Sequence, residues 1–207
     1  MQIFLDSGDI KQIKKWLPFV DGLTTNPTIL KKDGYSIEQI LKELPEGFPV
    51  SLEAVYPFEE KAKELAKLGT GVYVKIPLLN GDGSNNLEVI KRLSDEGISV
   101  NCTALFSLGQ VILASKAGAD FVSLFGGRIE DEGGDQFEVI RLASDFLFES
   151  QSDSQIIFAS VRQVSQIAGA QDSGAHIVTI PPAILEKMLM HWYSKETSAQ
   201  FERDARG

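Results

Sequence analysis

Residues 58–77 read FEEKAKELAKLGTGVYVKIP and hold one complete helix-to-strand unit. In Phe58–Lys67 the apolar residues Phe58, Ala62 and Leu65 recur at spacings of four and three, with Glu and Lys between them. That is one face of an amphipathic helix. Gly69 follows where a helix C-cap belongs. Val72–Ile76 then runs apolar on consecutive residues, interrupted only by Lys75. A strand covered on both faces reads this way, and parallel sheets are covered on both faces.

The same unit recurs on either side. Further short apolar runs are Ile3–Leu5, Gly22–Thr24, Pro49–Leu52, Ile98–Val100, Phe121–Phe125, Ile156–Ala159 and Ile177–Ile180, and Leu87–Ser94 repeats the helical spacing. Gly97, Gly118 and Gly174 stand just before strands, as Gly69 does. Eight strand–helix units within 207 residues predict a single (β/α)8 TIM barrel spanning residues 1–207. The rival is a doubly wound open sheet. No Gly-x-Gly-x-x-Gly follows the first strand, which weakens a dinucleotide-binding version of it. Residues from about 183 to 207 are expected to add C-terminal helices, around Ala183–Trp192 and Ser198–Arg206.

Charge and cysteine usage narrow the function classes. Twenty Lys and Arg against 29 Asp and Glu give a net charge of −9. Such a surface repels nucleic acid and anionic lipid, so neither is expected as a partner. An anionic substrate needs a local cluster of cations. The lone Cys102 permits no internal disulfide, which fits a reducing compartment. The start, MQIFLD, lacks the basic and long apolar segments of a signal peptide, and no run is long enough to span a bilayer. A cytoplasmic protein is expected.

Polar residues gather at the strand ends. Asp6 closes the first run, Thr25 and Asn26 follow the second, and Glu53 ends the third. Lys75 lies in the fourth, Asn101 and Thr103 end the fifth, Arg128 follows the sixth, and Ser160 and Arg162 follow the seventh. In a (β/α)8 barrel the C-terminal strand ends converge on the catalytic face. Burial in an apolar strand works against the charged form of an amine, and a neutral lysine is the nucleophile of Schiff-base chemistry. The plainer reading of Lys75 is a strand-end lysine reaching for solvent. Asp6 and Glu53 could divide proton transfers beside an iminium; a salt bridge, or for Asp6 a helix N-cap, competes. Arg128 and Arg162 with Ser160 could clamp a phosphate, against the commoner fate of surface ion pairs. His176 and His191 are too few and wrongly placed for a metal-dependent aldol site. The stretch NGDGSN at 80–85 departs from a calcium loop and reads as a loop before a helix.

Eight segments in order, FLDS at 4–7, LTTNPT at 23–28, SLE at 51–53, VKIP at 74–77, NCTA at 101–104, SLFGGRI at 123–129, ASVR at 159–162 and VTIPP at 178–182, resemble the transaldolase family. The length resembles its short subfamily, which also includes fructose 6-phosphate aldolase. The resemblance implies that Lys75 forms the Schiff base, that Asp6 takes the hydroxyl proton as the carbon–carbon bond breaks, and that Glu53 and Thr103 hold the proton-relaying water. It implies that Asn26, Asn101 and Ser123 bind the dihydroxyacetone unit and that Arg128, Ser160 and Arg162 bind the phosphate. No cofactor or metal is implied, because the protonated imine is the electron sink. The implied partners are sugar-phosphate substrates and further copies of the chain, as a pentamer or decamer. Glu53 and Phe125 resemble the transaldolase pattern, where the related aldolases tend to carry Gln and Tyr. Val161 stands where many relatives have Phe, and Gly126 where Val is usual, which predicts a looser loop there.

Three functions follow. The first is transfer of dihydroxyacetone from fructose 6-phosphate to erythrose 4-phosphate, in the pentose phosphate pathway. The second is release of free dihydroxyacetone by a fructose 6-phosphate aldolase. The third, of another class, is a sugar-phosphate-binding barrel without turnover.

Overall fold

The computed structural model describes residues 1–207. Eight parallel strands close into a barrel in sequence order. They are β1 (Gln2–Asp6), β2 (Gly22–Thr24), β3 (Val50–Glu53), β4 (Val72–Pro77), β5 (Val100–Leu105), β6 (Phe121–Phe125), β7 (Gln155–Ala159) and β8 (Ile177–Ile180). The helices, in chain order, are α1 (Ile10–Trp16), α2 (Pro27–Asp33), α3 (Ile37–Leu41), α4 (Phe58–Ala66), α5 (Leu87–Asp95), α6 (Leu108–Lys116), α7 (Gly126–Asp131), α8 (Gln136–Glu149), α9 (Ser165–Asp172), α10 (Pro182–Leu189) and α11 (Trp192–Arg206). The expected (β/α)8 barrel is therefore the fold. No helix is long and apolar enough to cross a membrane.

Strand alternation divides the apolar residues into two cores. Outward-facing Leu5, Leu23, Leu52, Val74, Ile76 and Val178 join residues of the surrounding helices in a cluster of 37 buried side chains. Inward-facing Phe4, Phe121, Ile157, Ala159 and Ile177 form a separate cluster of five, against which Tyr73 and Phe125 pack. This inner plug fills the barrel, as interior layers do in such folds. Phe4 also explains Gly22: a Cβ there would meet the Phe4 ring at 2.5 Å.

Local signals hold at most ends. Gly97, Gly118 and Gly174 have φ of +77°, +89° and +93°, the left-handed geometry that glycine adopts without a Cβ penalty. Gly69 does not share it, because α4 ends earlier at Ala66 with Lys67 as its cap. The fifth strand also departs from its expected place. Ile98 and Ser99 lie before it, and the pairing runs on through Asn101, Cys102 and Thr103 to Leu105. The polar side chains there suggested a strand end, but the upper barrel interior accepts them. Gly126 opens no loose loop. It begins α7, is buried, and a Cβ would lie 1.8 Å from the Phe158 ring. Close packing excludes a larger residue and holds the segment.

Candidate functional site

Register alone places three functional groups side by side. Glu53 of β3 pairs with Lys75 of β4, and Lys75 pairs with Asn101 of β5. Lys75 is 6% exposed, and its Nζ lies 3.3 Å from Glu53 Oε2. The same Nζ donates to the Thr25 carbonyl at 3.2 Å. The lysine therefore does not run out to solvent. It ends inside the barrel mouth, held between a carboxylate and a main-chain oxygen.

Across the mouth stands Asp6, in register with Thr24 of β2. Thr24 Oγ1 donates to Asp6 Oδ1 at 2.8 Å and lies 2.5 Å from Thr179 Oγ1 of β8. With the Thr24 proton given to Asp6, Thr179 must donate to Thr24. Asp6 does not cap α1; Asp9 does, accepting from the Lys11 backbone. Burial pushes the Asp6 carboxyl above the ordinary aspartate range, and the charge of Asp33 adds to the push. Lys75 and the Thr24 hydrogen bond pull it back without cancelling the effect.

Beneath the amine runs a row of neutral groups. Ser123 Oγ donates to Asn101 Oδ1 at 2.7 Å, and Asn101 Nδ2 donates to Ser51 Oγ at 2.9 Å. Asn26 caps α2, accepting from the Ile29 backbone at 2.9 Å through its side-chain oxygen. The buried hydroxyls of Thr25 and Thr103 have no hydrogen-bond partner within the protein.

Two cavities, of about 150 and 470 Å³, share Asp6, Asn26, Lys75, Phe125 and Arg128 as walls. Ser123 and Ser160 complete the smaller, Glu53 and Thr103 the larger. Three of the residues singled out from sequence stand apart, the first being Thr25, whose carbonyl accepts from Lys75 but which lines neither space. Asn101 lies under the floor, fully buried, and meets the cavity only through Ser123. Arg162 lines neither space; its guanidinium forms a bidentate pair with Asp131, at 2.5 and 2.6 Å. Arg128 instead sits over the Phe125 ring, 5.1 Å from its centroid. A larger groove of about 510 Å³ flanks Asp6 between α1, α2 and α10. Its only amine is the exposed Lys32, whereas the amine of the two smaller cavities is the buried Lys75.

Thr24, Thr179 and Ser51 were not among the strand-end candidates, since short hydroxyls in apolar strands are ordinary packing residues. The other candidates have structural employment. His176 Nδ1 accepts from the Ile156 backbone at 3.0 Å on the opposite barrel face, and burial lowers its pKa. His191 precedes α11. Cys102 is buried, and desolvation raises its thiol pKa to about 12, which keeps it unreactive. Residues 80–85 form a loop, with Asn85 accepting from the Leu87 backbone at the start of α5.

A family profile described as "Transaldolase/Fructose-6-phosphate aldolase" matches residues 3–206. A "Probable transaldolase" of Dehalococcoides mccartyi is 38% identical over 214 residues, covering 99% of this chain and 97% of that protein. Another from Petrotoga mobilis is 40% identical over 199 residues, covering 92% and 88%. One from Methanococcus maripaludis is 36% identical, covering 99% and 97%. Among solved structures, a putative lactate oxidase from Pediococcus acidilactici superposes with a TM-score of 0.64 at 17% identity, over 87% of this chain and 62% of that one. At that identity the likeness is one of barrel fold alone.

Proposed function

Because the chain belongs to the transaldolase/fructose-6-phosphate aldolase family, we propose that it is a transaldolase moving a dihydroxyacetone unit from fructose 6-phosphate to erythrose 4-phosphate through a Schiff base on Lys75. The products are sedoheptulose 7-phosphate and glyceraldehyde 3-phosphate. The observation that carries the reading is Lys75 itself: a buried amine within β4, 3.3 Å from one carboxylate and sharing its cavity walls with another.

Lys75 passes a proton to Glu53 and its amine attacks the ketose carbonyl; that proton returns to the carbinolamine oxygen, which leaves as water to give the iminium. Asp6 accepts the proton of the hydroxyl beyond the scissile bond. As that bond breaks, its electron pair flows into the iminium to give an enamine, and the aldose leaves. The enamine then attacks the acceptor aldehyde, Asp6 returns the proton, and hydrolysis frees Lys75. A base whose pKa has been raised toward the working pH suits this two-way duty. Glu53 and the unpartnered Thr103 hydroxyl would hold the water of iminium formation and hydrolysis. Asn26 and Ser123 would face the dihydroxyacetone unit, and Asn101 would orient Ser123 from below. Arg128, Ser160 and Arg162 would receive the phosphate. Self-association belongs to the same proposal: α11 buries none of its residues and exposes Trp192, Tyr193 and Phe201.

Fructose 6-phosphate aldolase is the second reading, and Phe125 speaks against it, offering no hydroxyl to the site water. A binder without turnover has no use for a buried amine between carboxylates. Borohydride reduction with fructose 6-phosphate, followed by mass analysis, tests the imine. Assay with and without erythrose 4-phosphate then separates transfer from release. Absence of an adduct at Lys75 refutes the reading, and dihydroxyacetone release without transfer favours the aldolase.

A further inference from the structure

The two arms of the phosphate end are locked together by a buried amide. Gln166 on α9 is 4% exposed. Its carbonyl accepts from the backbone N–H of Arg162 at 2.8 Å and of Gln163 at 3.1 Å. Its amide donates to Glu130 on α7 at 2.7 Å and to the buried Gln136 on α8 at 3.3 Å. Both ends of the side chain are thus fully used. Gly127 reinforces the lock: a Cβ there would lie 2.1 Å from the Ser160 carbonyl. The segments bearing Arg128 and Arg162 are thereby tied to one another through Gln166 and the close approach at Gly127.

One of those side chains is already engaged. Arg162 forks both oxygens of Asp131, the last residue of α7, and the pair is about half exposed on both sides. Its Nε and the Ser160 hydroxyl flank the same glycine, at 3.0 and 3.1 Å from the Cβ that Gly127 lacks. The guanidinium thus sits beside the proposed phosphate position yet is turned from the cavity. Arg128 forms no ion pair.

We propose that Asp131 is a placeholder for substrate phosphate: it holds the Arg162 fork in the free enzyme, and a bound phosphate displaces it, so that Asp131 sets the affinity for phosphorylated substrates. This rests on the reading of Arg128, Ser160 and Arg162 as the phosphate end. A carboxylate presents the same bidentate geometry to a guanidinium as two phosphate oxygens do. A half-exposed ion pair is weak, so the exchange is readily made. A phosphate carries nearly twice the charge of a carboxylate. Asp131 then remains nearby as a like charge, which loosens ground-state binding and speeds release of phosphorylated product.

The placeholder differs from a simple brace in the sign of its effect. Inorganic phosphate is titrated by calorimetry into the wild type, Asp131→Asn, Arg162→Ala and the double variant, with Asp131→Ser as a check on the new amide. Asp131→Asn is expected to bind phosphate about twofold to fivefold tighter, an effect of the size an exposed ion pair supplies. The gain should vanish in the Arg162→Ala background. The KM for fructose 6-phosphate should fall in parallel. Equal or weaker phosphate binding by Asp131→Asn, or a gain that survives without Arg162, overturns the proposal. Phosphate titration reads no turnover, so its failure is distinct from a failure of borohydride trapping at Lys75.

Discussion

The amine end of the site and its proposed phosphate end are built differently. Glu53, Lys75 and Asn101 sit on three adjacent strands in direct register, and Asp6 stands in register with the threonine that hydrogen-bonds it. Their positions are set by the same ladder that closes the barrel. Arg128, Ser160 and Arg162 sit on a short helix and a loop, are half-buried or exposed, and depend on one buried glutamine for their spacing. Bond-making chemistry tolerates little misplacement and gains from rigid strands. A phosphate must enter and leave, and longer side chains on loops allow that.

The largest effect should come at the amine end. Lys75→Met is expected to lower turnover by about ten-thousandfold or more, the scale on which loss of a covalent nucleophile registers. Borohydride trapping should vanish while the circular dichroism spectrum stays native. Lys75→Arg should be as inactive, since a guanidinium remains protonated. A trapped adduct in either variant would assign the imine elsewhere.

Asp6→Asn comes next, with a loss in kcat of about a hundred- to ten-thousandfold. Its stability should move the other way. Burial raises the folded-state pKa of Asp6 above its unfolded value, so the folded protein holds this proton more tightly. The ionised form therefore costs stability above the folded pKa, and the cost is relieved as pH falls through it. At neutral pH Asp6→Asn should melt higher than the wild type, and the advantage should fade in acid. Activity of the wild type should fall in acid as the carboxylate takes up its proton, earlier than for an ordinary aspartate. A variant that melts lower at neutral pH would show Asp6 to be a structural anchor.

The phosphate end should respond through KM. Arg128→Ala is expected to raise KM for phosphorylated substrates by roughly tenfold to a hundredfold, as for a charged hydrogen bond lost. Unphosphorylated dihydroxyacetone should be affected less. Arg162→Ala should cost less than Arg128→Ala, because Arg162 must first leave Asp131. Equal losses on both substrate classes would make the arginines structural.

The smallest effect joins the two ends. Phe125 packs on the inner plug, lines both cavities and carries Arg128 on its ring. Phe125→Tyr, alone or with Glu53→Gln, is expected to raise dihydroxyacetone release relative to transfer by up to about tenfold, which is about 1.4 kcal/mol in a partition. An unchanged partition ratio would remove the site water from control of the outcome.

Much of this was decided by the chain as written. Consecutive apolar runs separated by amphipathic helices determined a covered parallel sheet, and eight such units determined the barrel, because each must bury both faces of its strand. The positions of the polar residues also determined that most of them would gather at one barrel mouth, since parallel strands in a closed barrel point their C-terminal ends the same way. Thr25, Asn101 and Arg162 nonetheless stand outside the cavities. The eight matching segments located the family. Besides the cap expected at Gly69, two features escaped local reading: β5 extends through Asn101 and Thr103, and Gly126 is buried under Phe158. In both cases a distant neighbour supplied what the local pattern lacked.

Only the tertiary structure decided the partners. Thr24 and Thr179, 155 residues apart, meet at 2.5 Å behind Asp6, and Asn101 of β5 donates to Ser51 of β3 past the intervening strand. The pairing of Arg162 with Asp131, and the amide of Gln166 that fixes both arms, depend on where α7 lies against the loop after β7. Hydrophobic periodicity acts along the chain and is written in it. Hydrogen bonds and ion pairs act across strand register and crossover geometry, and those distances exist only once the barrel has closed.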